Sequence, residues 1–308
     1  MNRRQLLGNS AGLGLAAALQ RSVGAELPDR SAAKRSRPSL APQPLHPPAE
    51  GQIPVAFLIS DDAVVIDFAG PWEVFEDVYI PEREIKNPFW LYTVAENTKP
   101  VRVSGGMTVV PDYSLVSAPL PKVIVIPAQS DPSERVLDWV RKAAKTSDVT
   151  MSVCTGAFLL AKTGLLAGKA ATTHHGAFAE FALAFPDVAL KRGTRFVEAG
   201  NVASSGGLSS GIDLALRVVE RYFGHEVAVS TAYNMEYQGL GWMNPESNDV
   251  YARPRKTSDA HPVCAVCQMD VDRARAPRSS FGGRTYYFCM ETHKKMFDAD
   301  PAAFTDSR

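Results

Sequence analysis

The sequence has no excess of charge of either sign. Its 33 Lys and Arg residues are balanced by 33 Asp and Glu residues, so the formal net charge at pH 7 is zero. Proteins that bind nucleic acid or anionic membrane surfaces concentrate positive charge for that purpose. We therefore expect no nucleic-acid partner.

Cysteine is scarce and unevenly placed. The chain has four cysteines, and three of them, Cys264, Cys267 and Cys289, lie close to the C-terminus, while Cys154 stands alone in the long part before them. A local shift in composition of this kind indicates a separate small module. The chain is long enough for one large domain followed by such a module.

The N-terminus lacks an apolar run long enough for a membrane span. Its apolar stretch, residues 8–19, is short and rich in Gly and Ala. The pair Arg3-Arg4 precedes this stretch and small residues follow it at 22–25, which is the order of a twin-arginine signal peptide. We predict a signal peptide at 1–25, export to the periplasm, and no stable membrane insertion after cleavage. An apolar tail with chance arginines is the alternative.

The remaining chain divides by composition. Residues 26–51 are rich in Pro, Ser and basic residues without apolar periodicity, which predicts a disordered spacer. Residues 52–244 alternate continuous apolar strands with amphipathic helices, which predicts a doubly wound, mostly parallel α/β sheet. A polar linker at 245–260 and a small metal-finger-like domain at 261–305 complete the predicted order. Ligands of such sheets bind beyond the carboxyl ends of the strands.

One such strand end carries Cys154. The apolar run 149–153 passes through Cys154, Thr155 and Gly156 into a segment with helical spacing of apolar residues. A strand that turns sharply into a helix at a cysteine forms a nucleophile elbow, and the helix N-terminus favours the thiolate. A small buried structural cysteine is the alternative at this step.

The sequence that begins at Cys154, CTGAFLLAKTGLLAGKAATTHH, resembles the nucleophile elbow of the ThiJ/PfpI superfamily. The resemblance covers about residues 53–241 and implies a flavodoxin-like fold similar to class I glutamine amidotransferases. It is nearest to the isonitrile hydratases and the N-terminal domains of AraC-type regulators. In the hydratase branch the matching trio is Asp67, Cys154 and Thr155, which implies an acid/base, a nucleophile and an orienting hydroxyl. Alternatively, Asp67 caps a helix that begins near Pro71.

Two further features of the resemblance concern His174 and the loop at Ala128-Gln129. Other branches of the superfamily have a His at the position of His174, which implies a Cys–His pair; a histidine bound by neighbouring backbone is the alternative. We predict that His174 lies on a strand, with His175 facing the opposite side. Many relatives carry Gly-Gly where this chain has Ala128-Gln129, and the missing turn disfavours an oxyanion hole, although the Gln129 amide could donate.

The C-terminal segment, which contains CQMDV and GGRTYYFCMETHKKMF, resembles a YHS domain. Cys264 and Cys267 form a C-x-x-C turn, and Cys289 and His293 are four residues apart where a strand meets a helix. This donor set predicts tetrahedral zinc, or copper(I), bound by all four residues. A disulfide from Cys264 to Cys267 or to Cys289 is the alternative. We predict no cofactor for the main domain.

Two functions remain open from the sequence. The first is a cysteine-dependent hydratase or amidase acting on a small molecule, with Cys154 as nucleophile, Asp67 as acid/base and Thr155 orienting. The second is a periplasmic ligand, redox or metal sensor without catalysis. A DNA-binding regulator is disfavoured because the metal-finger-like module replaces the helix-turn-helix region. A homodimer is compatible with either function.

Overall fold

The computed structural model describes residues 43–253, 255, 257 and 261–305. The predicted signal peptide and residues 26–42 of the predicted spacer lie outside this part. Within the described part, no helix is both long enough and apolar enough to cross a bilayer.

Strands and helices alternate along most of the described chain. The strands are β1 (Ile53–Leu58), β2 (Phe89–Ala95), β3 (Val101–Arg102), β4 (Thr108–Val109), β5 (Tyr113–Ser114), β6 (Val123–Ile126), β7 (Val149–Val153), β8 (Ala170–Ala171), β9 (Ala189–Leu190), β10 (Phe196–Ala199), β11 (Val202–Ser205), β12 (Arg278–Phe281) and β13 (Arg284–Tyr287). The α-helices are α1 (Val65–Glu76), α2 (Glu134–Ala143), α3 (Gly156–Lys162), α4 (Phe178–Ala184), α5 (Ser210–Phe223), α6 (His225–Asn234), α7 (Asp249–Ala252), α8 (Glu291–Ala299) and α9 (Ala302–Thr305).

The central sheet has seven strands in the order β10-β11-β7-β6-β1-β2-β5. Neighbouring strands are parallel except for β10, which runs antiparallel to β11. Every residue of β6 and β7 is buried because helices cover both faces of the sheet. The predicted doubly wound, mostly parallel sheet is confirmed, and β7 places Cys154 near its centre.

Helix α1 differs from the prediction because it begins before Pro71. The helix starts at Val65, so Pro71 lies inside it and Asp67 lies in its first turn. Val64 occupies the N-cap position without a side-chain capping bond. Asp67 therefore does not cap the helix, and its carboxylate contacts other groups instead.

The segment that carries the two histidines also differs from the prediction. Strand β8 ends at Ala171 and pairs with β9 in a separate two-stranded sheet. His175 begins a 3₁₀ turn, with His174 as its N-cap. The two imidazole rings do not face opposite sides, since their centroids are 4.3 Å apart. The chain leaves the extended conformation because the Gly176 N–H bonds back to His174 Nδ1.

The predicted disordered spacer and the predicted linker both make contacts with the main domain. The Leu45 N–H donates to the Arg221 carbonyl at 2.8 Å, and Arg221 Nε donates to the Gln43 carbonyl at 3.1 Å. In the predicted linker, the Pro245 carbonyl accepts from the Arg195 N–H, and Asn248 is buried. Residues near both predicted boundaries thus contact the folded domain, and the boundaries themselves stay a prediction.

Candidate functional site

Cys154 lies in a strained turn directly after β7. Its φ of 58° is in the left-handed region that non-glycine residues rarely adopt. Backbone and side-chain contacts hold the turn: the Cys154 N–H donates to the Gly206 carbonyl at 2.9 Å, and Thr173 Oγ1 donates to the Cys154 carbonyl at 3.0 Å. A Cβ at Gly156 would lie 2.2 Å from the Ile126 carbonyl oxygen, so only glycine lets α3 begin so close to β6. The predicted elbow geometry is present.

Asp67 is the acid nearest to the thiol. It is fully buried, and its Oδ2 accepts from the Ala128 N–H at 3.1 Å. Its Oδ1 is buried without a well-formed hydrogen bond in the described part of the chain. Burial raises the pKa of Asp67 to about 7, and bonds from Ala128 and the Cys154 thiol offset part of that rise. At neutral pH the carboxyl group can therefore either hold or release a proton.

The Cys154 thiol is not stabilised as a thiolate in the free protein, contrary to the expectation from the helix N-terminus. Burial and the neighbouring charge of Asp67 raise its pKa to about 12. Backbone N–H groups of Thr155 and Leu208 and the Thr155 side chain act in the opposite direction but are weaker. Helix α3 has only seven residues, so its dipole is small. The sulfur needs a proton acceptor during reaction, and Asp67 is placed to be that acceptor.

These raised pKa values make the stability of the protein depend on pH. Asp67 binds its proton up to about pH 7 when folded, whereas an unfolded chain releases it near 3.8. The free energy of unfolding should therefore fall as pH rises between these values. By the same linkage, Asp67→Asn should raise this free energy at about pH 8 by at most about 4 kcal/mol. Urea unfolding at about pH 5 and about pH 8 measures the effect, which should be less than half as large at the lower pH.

A matched control for this measurement is Asp112→Asn, a carboxylate that bonds to Thr93 on the far side of the sheet. This variant should be destabilised and should not reproduce the gain at high pH. If Asp67→Asn changes stability equally at both pH values, burial of the charged carboxylate is not the cause.

Two donors of the loop after β6 are already engaged within the protein. The Ala128 N–H is bonded to Asp67. The Gln129 amide donates to the Leu58 carbonyl at 3.1 Å and to the Pro127 carbonyl at 3.5 Å. The suggested donation from Gln129 to an oxyanion is therefore unavailable in this conformation. With these two donors engaged, chemistry at Cys154 that develops no strong oxyanion is favoured over amide hydrolysis.

His174 is occupied by its own backbone and not by the thiol. Its Nδ1 accepts from the Gly176 N–H at 3.1 Å, and a Cβ at Gly207 would lie 2.3 Å from its ring. Burial and the adjacent His175 lower its pKa to about 4, so the imidazole is neutral. Among the described residues, no hydrogen bond joins His174 to Cys154. The geometry corresponds to the backbone-bound alternative.

A cleft of about 130 Å³ opens beside the elbow. Its lining includes Thr173 and Leu208, which also contact Cys154. Sequence reasoning missed other lining residues, including Arg195, Ser209 and Tyr251. Arg195 donates to Asp213 and to Ser209 Oγ, and Tyr251 stacks on His175 at 5.1 Å. These residues come from separate segments without a shared motif. The one local signal is the position of Arg195, a basic residue directly before β10.

The four predicted metal ligands converge in the C-terminal module. The donor atoms of Cys264, Cys267, Cys289 and His293 all lie within 4.8 Å of one another. Cys267 Sγ is 3.6 Å from Cys289 Sγ, close to the roughly 3.8 Å expected for two sulfurs about 2.3 Å from a tetrahedral zinc ion. All four cysteines are free, so neither of the alternative disulfides is formed. The cluster has the geometry and donor chemistry to bind a metal ion.

The relatives of this chain share its main domain. Residues 54–221 match the sequence profile of the DJ-1/PfpI family. Isonitrile hydratase of Pseudomonas putida is 29% identical over 188 residues, which cover 59% of this chain and 78% of the hydratase. The HTH-type transcriptional regulator CdhR of Pseudomonas aeruginosa is 28% identical over 153 residues, 48% of this chain and 44% of the regulator. The chain thus spans less than half the length of that regulator.

The fold agrees with these sequence matches. A THiJ/PfpI family protein from Pseudomonas syringae superposes with a TM-score of 0.54 at 21% identity, covering 71% of this chain and 98% of that protein. The profile match extends over more than half of the chain and contains both Asp67 and Cys154. On these grounds the chain belongs to the DJ-1/PfpI family.

Proposed function

We propose that the protein is a hydratase that adds water to a small isonitrile, with Cys154 as nucleophile and Asp67 as proton shuttle. The observation that carries this proposal is the buried pair itself: a carboxyl group whose pKa is about 7 beside a protonated thiol. An isonitrile carbon must gain a proton and a nucleophile, and this pair can supply both. The similarity to isonitrile hydratase supports the same substrate class.

The first half of the reaction forms a covalent intermediate. Protonated Asp67 gives its proton to the carbon of R–N≡C, and the carboxylate left behind takes the proton of the Cys154 thiol as sulfur attacks that carbon. The product is the thioimidate R–N=CH–S–Cys154, and Asp67 is protonated again. Thr155, whose side chain and N–H interact with the sulfur, orients it during the attack.

The second half releases the product with water. Asp67 protonates the nitrogen while water adds to the thioimidate carbon, and its carboxylate takes up the extra proton of that water. The C–S bond then breaks, sulfur leaves with the hydroxyl proton, and the thiol is restored. The sum is R–N≡C plus water giving the formamide R–NH–CHO. No strong oxyanion forms at the start, which agrees with the engaged donors of the Ala128-Gln129 loop.

Turnover of a simple aliphatic isonitrile to its formamide tests this proposal. Because the active form holds a proton on Asp67, kcat/KM should fall about tenfold per pH unit above about pH 7. NMR of the reaction in water follows the formyl proton of the product. Absence of formamide at any pH, with a range of isonitriles, would overturn the proposal.

A binding module without catalysis is the second candidate. It is favoured by the match to a transcriptional regulator, in which a domain of this family is not the whole protein. Its cleft beside the elbow would hold a small ligand, with polar side chains such as those of Ser209 and Tyr251 in its lining. In that case isonitriles or other small molecules would bind without any product appearing.

For the C-terminal module we propose one bound metal ion, most favourably zinc. Three thiolates and one imidazole suit zinc or copper(I), and the imidazole shifts the preference toward zinc. The support for this is the convergence of Cys264, Cys267, Cys289 and His293 with all sulfurs free. Bound metal would supply cross-links to a module whose own apolar core is small.

Export of the protein is also a proposal. The paired Arg3-Arg4 before an apolar stretch motivates it, and these residues lie outside the described part of the chain. Replacing both by lysine should leave the protein in the cytoplasm, since a twin-arginine signal depends on that pair. Cell fractionation measures this, with Lys34→Arg, Lys86→Arg as a control that exchanges basic residues elsewhere. Unchanged recovery of the double lysine variant from the periplasm would contradict the proposal.

A further inference from the structure

His293, one of the four proposed metal ligands, also forms a hydrogen bond to the main domain. His293 presents Nδ1 to the sulfurs, at 3.1 Å from Cys289 Sγ and 3.5 Å from Cys264 Sγ. Its other ring nitrogen, Nε2, is 2.7 Å from Oε1 of Glu180 on α4. His293 is almost fully buried, while the Glu180 side chain is about one-third exposed. The contact joins residues 113 positions apart in the chain.

We propose that Glu180 completes the metal site from outside its ligand set, and that bound metal thereby fastens the C-terminal module to the DJ-1/PfpI domain. A histidine that binds metal through Nδ1 carries its proton on Nε2, where a carboxylate can accept it. This bond selects the tautomer, fixes the ring plane and makes Nδ1 a stronger donor to the ion. Glu180 is a positioning residue, because it acts through His293.

Two further contacts link the metal cluster to the cleft. A Cβ at Gly176, in the turn after the cleft histidines, would lie 3.4 Å from the Cys267 carbonyl oxygen. Arg255 donates to the Gln268 carbonyl, next to Cys267, and its charge also reaches His175 in the cleft wall. The module therefore contacts the domain at the ligand loop as well as at His293. Metal binding and docking of the module should favour each other.

The inference rests on the proposed metal site, and zinc titration of the full-length protein against a competing chelator separates the two. Glu180→Ala should weaken the zinc affinity about 10- to 100-fold. Glu180→Gln keeps an oxygen that can accept from Nε2–H, so its loss should be smaller. Glu291→Gln is the matched control: it removes an exposed carboxylate from the first turn of α8 without touching His293 and should bind zinc like the wild type.

The absorption spectrum of bound cobalt(II) provides a second test, because a contact that only stabilised the fold would not change its bands. The sulfur-to-cobalt and ligand-field absorption bands should shift in Glu180→Ala, because the imidazole loses its fixed orientation, and return toward the wild-type positions in Glu180→Gln. Zinc should also slow tryptic cleavage after Arg255 in the wild type more than in Glu180→Ala.

Each outcome of these measurements has a distinct meaning. If the wild type binds no zinc or cobalt, the metal site itself is wrong. If the wild type binds metal and Glu180→Ala binds it equally well with unchanged cobalt bands, the metal site stands and the role of Glu180 is wrong. If Glu291→Gln loses as much zinc affinity as Glu180→Ala, the loss comes from removing negative charge near the site and not from the bond to His293. That result would also overturn the inference.

Discussion

Cys154→Ser should lower kcat/KM for isonitrile hydration by about a thousandfold or more, as loss of an enzyme nucleophile commonly does. A serine hydroxyl is far less acidic and less nucleophilic than a thiol, so the carboxylate of Asp67 would fail to activate it. Asp67→Asn should cost about 10²- to 10⁴-fold, because it removes the proton shuttle while keeping the bond from the Ala128 N–H. Formamide production under pseudo-first-order conditions measures both losses.

The matched control is Ser152→Ala, in β7 two residues before the nucleophile. Its Oγ is buried without a hydrogen bond in the described part of the chain, so its removal should leave the rate unchanged. Mass spectrometry of the wild type during turnover should reveal the thioimidate on Cys154. A Cys154→Ser protein that retains near wild-type activity would exclude covalent catalysis, and with it the proposed mechanism.

Removal of metal should unfold the C-terminal module while the main domain remains intact. The module's buried apolar core is a small cluster built around Phe288 and Phe297, with two ligand cysteines as part of it. Without metal, the buried thiols lose their common partner and this core is too small to hold the chain. Chymotrypsin should then cut at Tyr286, Tyr287 or Phe288, whereas residues 53–241 should resist. Cys289→Ser should have the same effect without a chelator.

Cys154→Ala is the control for this experiment, since it removes a cysteine that lies outside the metal cluster. It should leave both the metal content and the protease resistance of the module unchanged. Elemental analysis of reduced protein expressed in the cytoplasm gives the metal content directly. A metal-free module that still resists chymotrypsin would show that packing alone holds it.

The sheet could be predicted because its strands carry a strong local signal. The run Val123–Ile126 is apolar at every position, which only a strand buried on both faces requires. Strand β7 is also buried throughout, with the small polar residues Thr150 and Ser152 between its apolar residues. Helix α1 was harder to delimit because Pro71 normally marks a first turn. Here the helix begins six residues earlier, at Val65, and includes the proline.

The site could be predicted only as far as its motifs extend. Cys154 and Asp67 lie in recognisable sequence motifs, and the structure brings them together. The protonated state of the thiol depends on how deeply it is buried, which no local pattern records. The cleft residues Arg195 and Tyr251 come from distant segments, and their meeting is a property of the whole fold.

The bond between Glu180 and His293 has a consequence for the order in which the protein is made. Synthesis proceeds from the N-terminus, so the helix that carries Glu180 leaves the ribosome well before the first metal ligand, Cys264. The main domain can thus offer a finished surface on which the module assembles. A fragment consisting of residues 261–305 alone would lack that surface and should bind zinc more weakly than the whole chain.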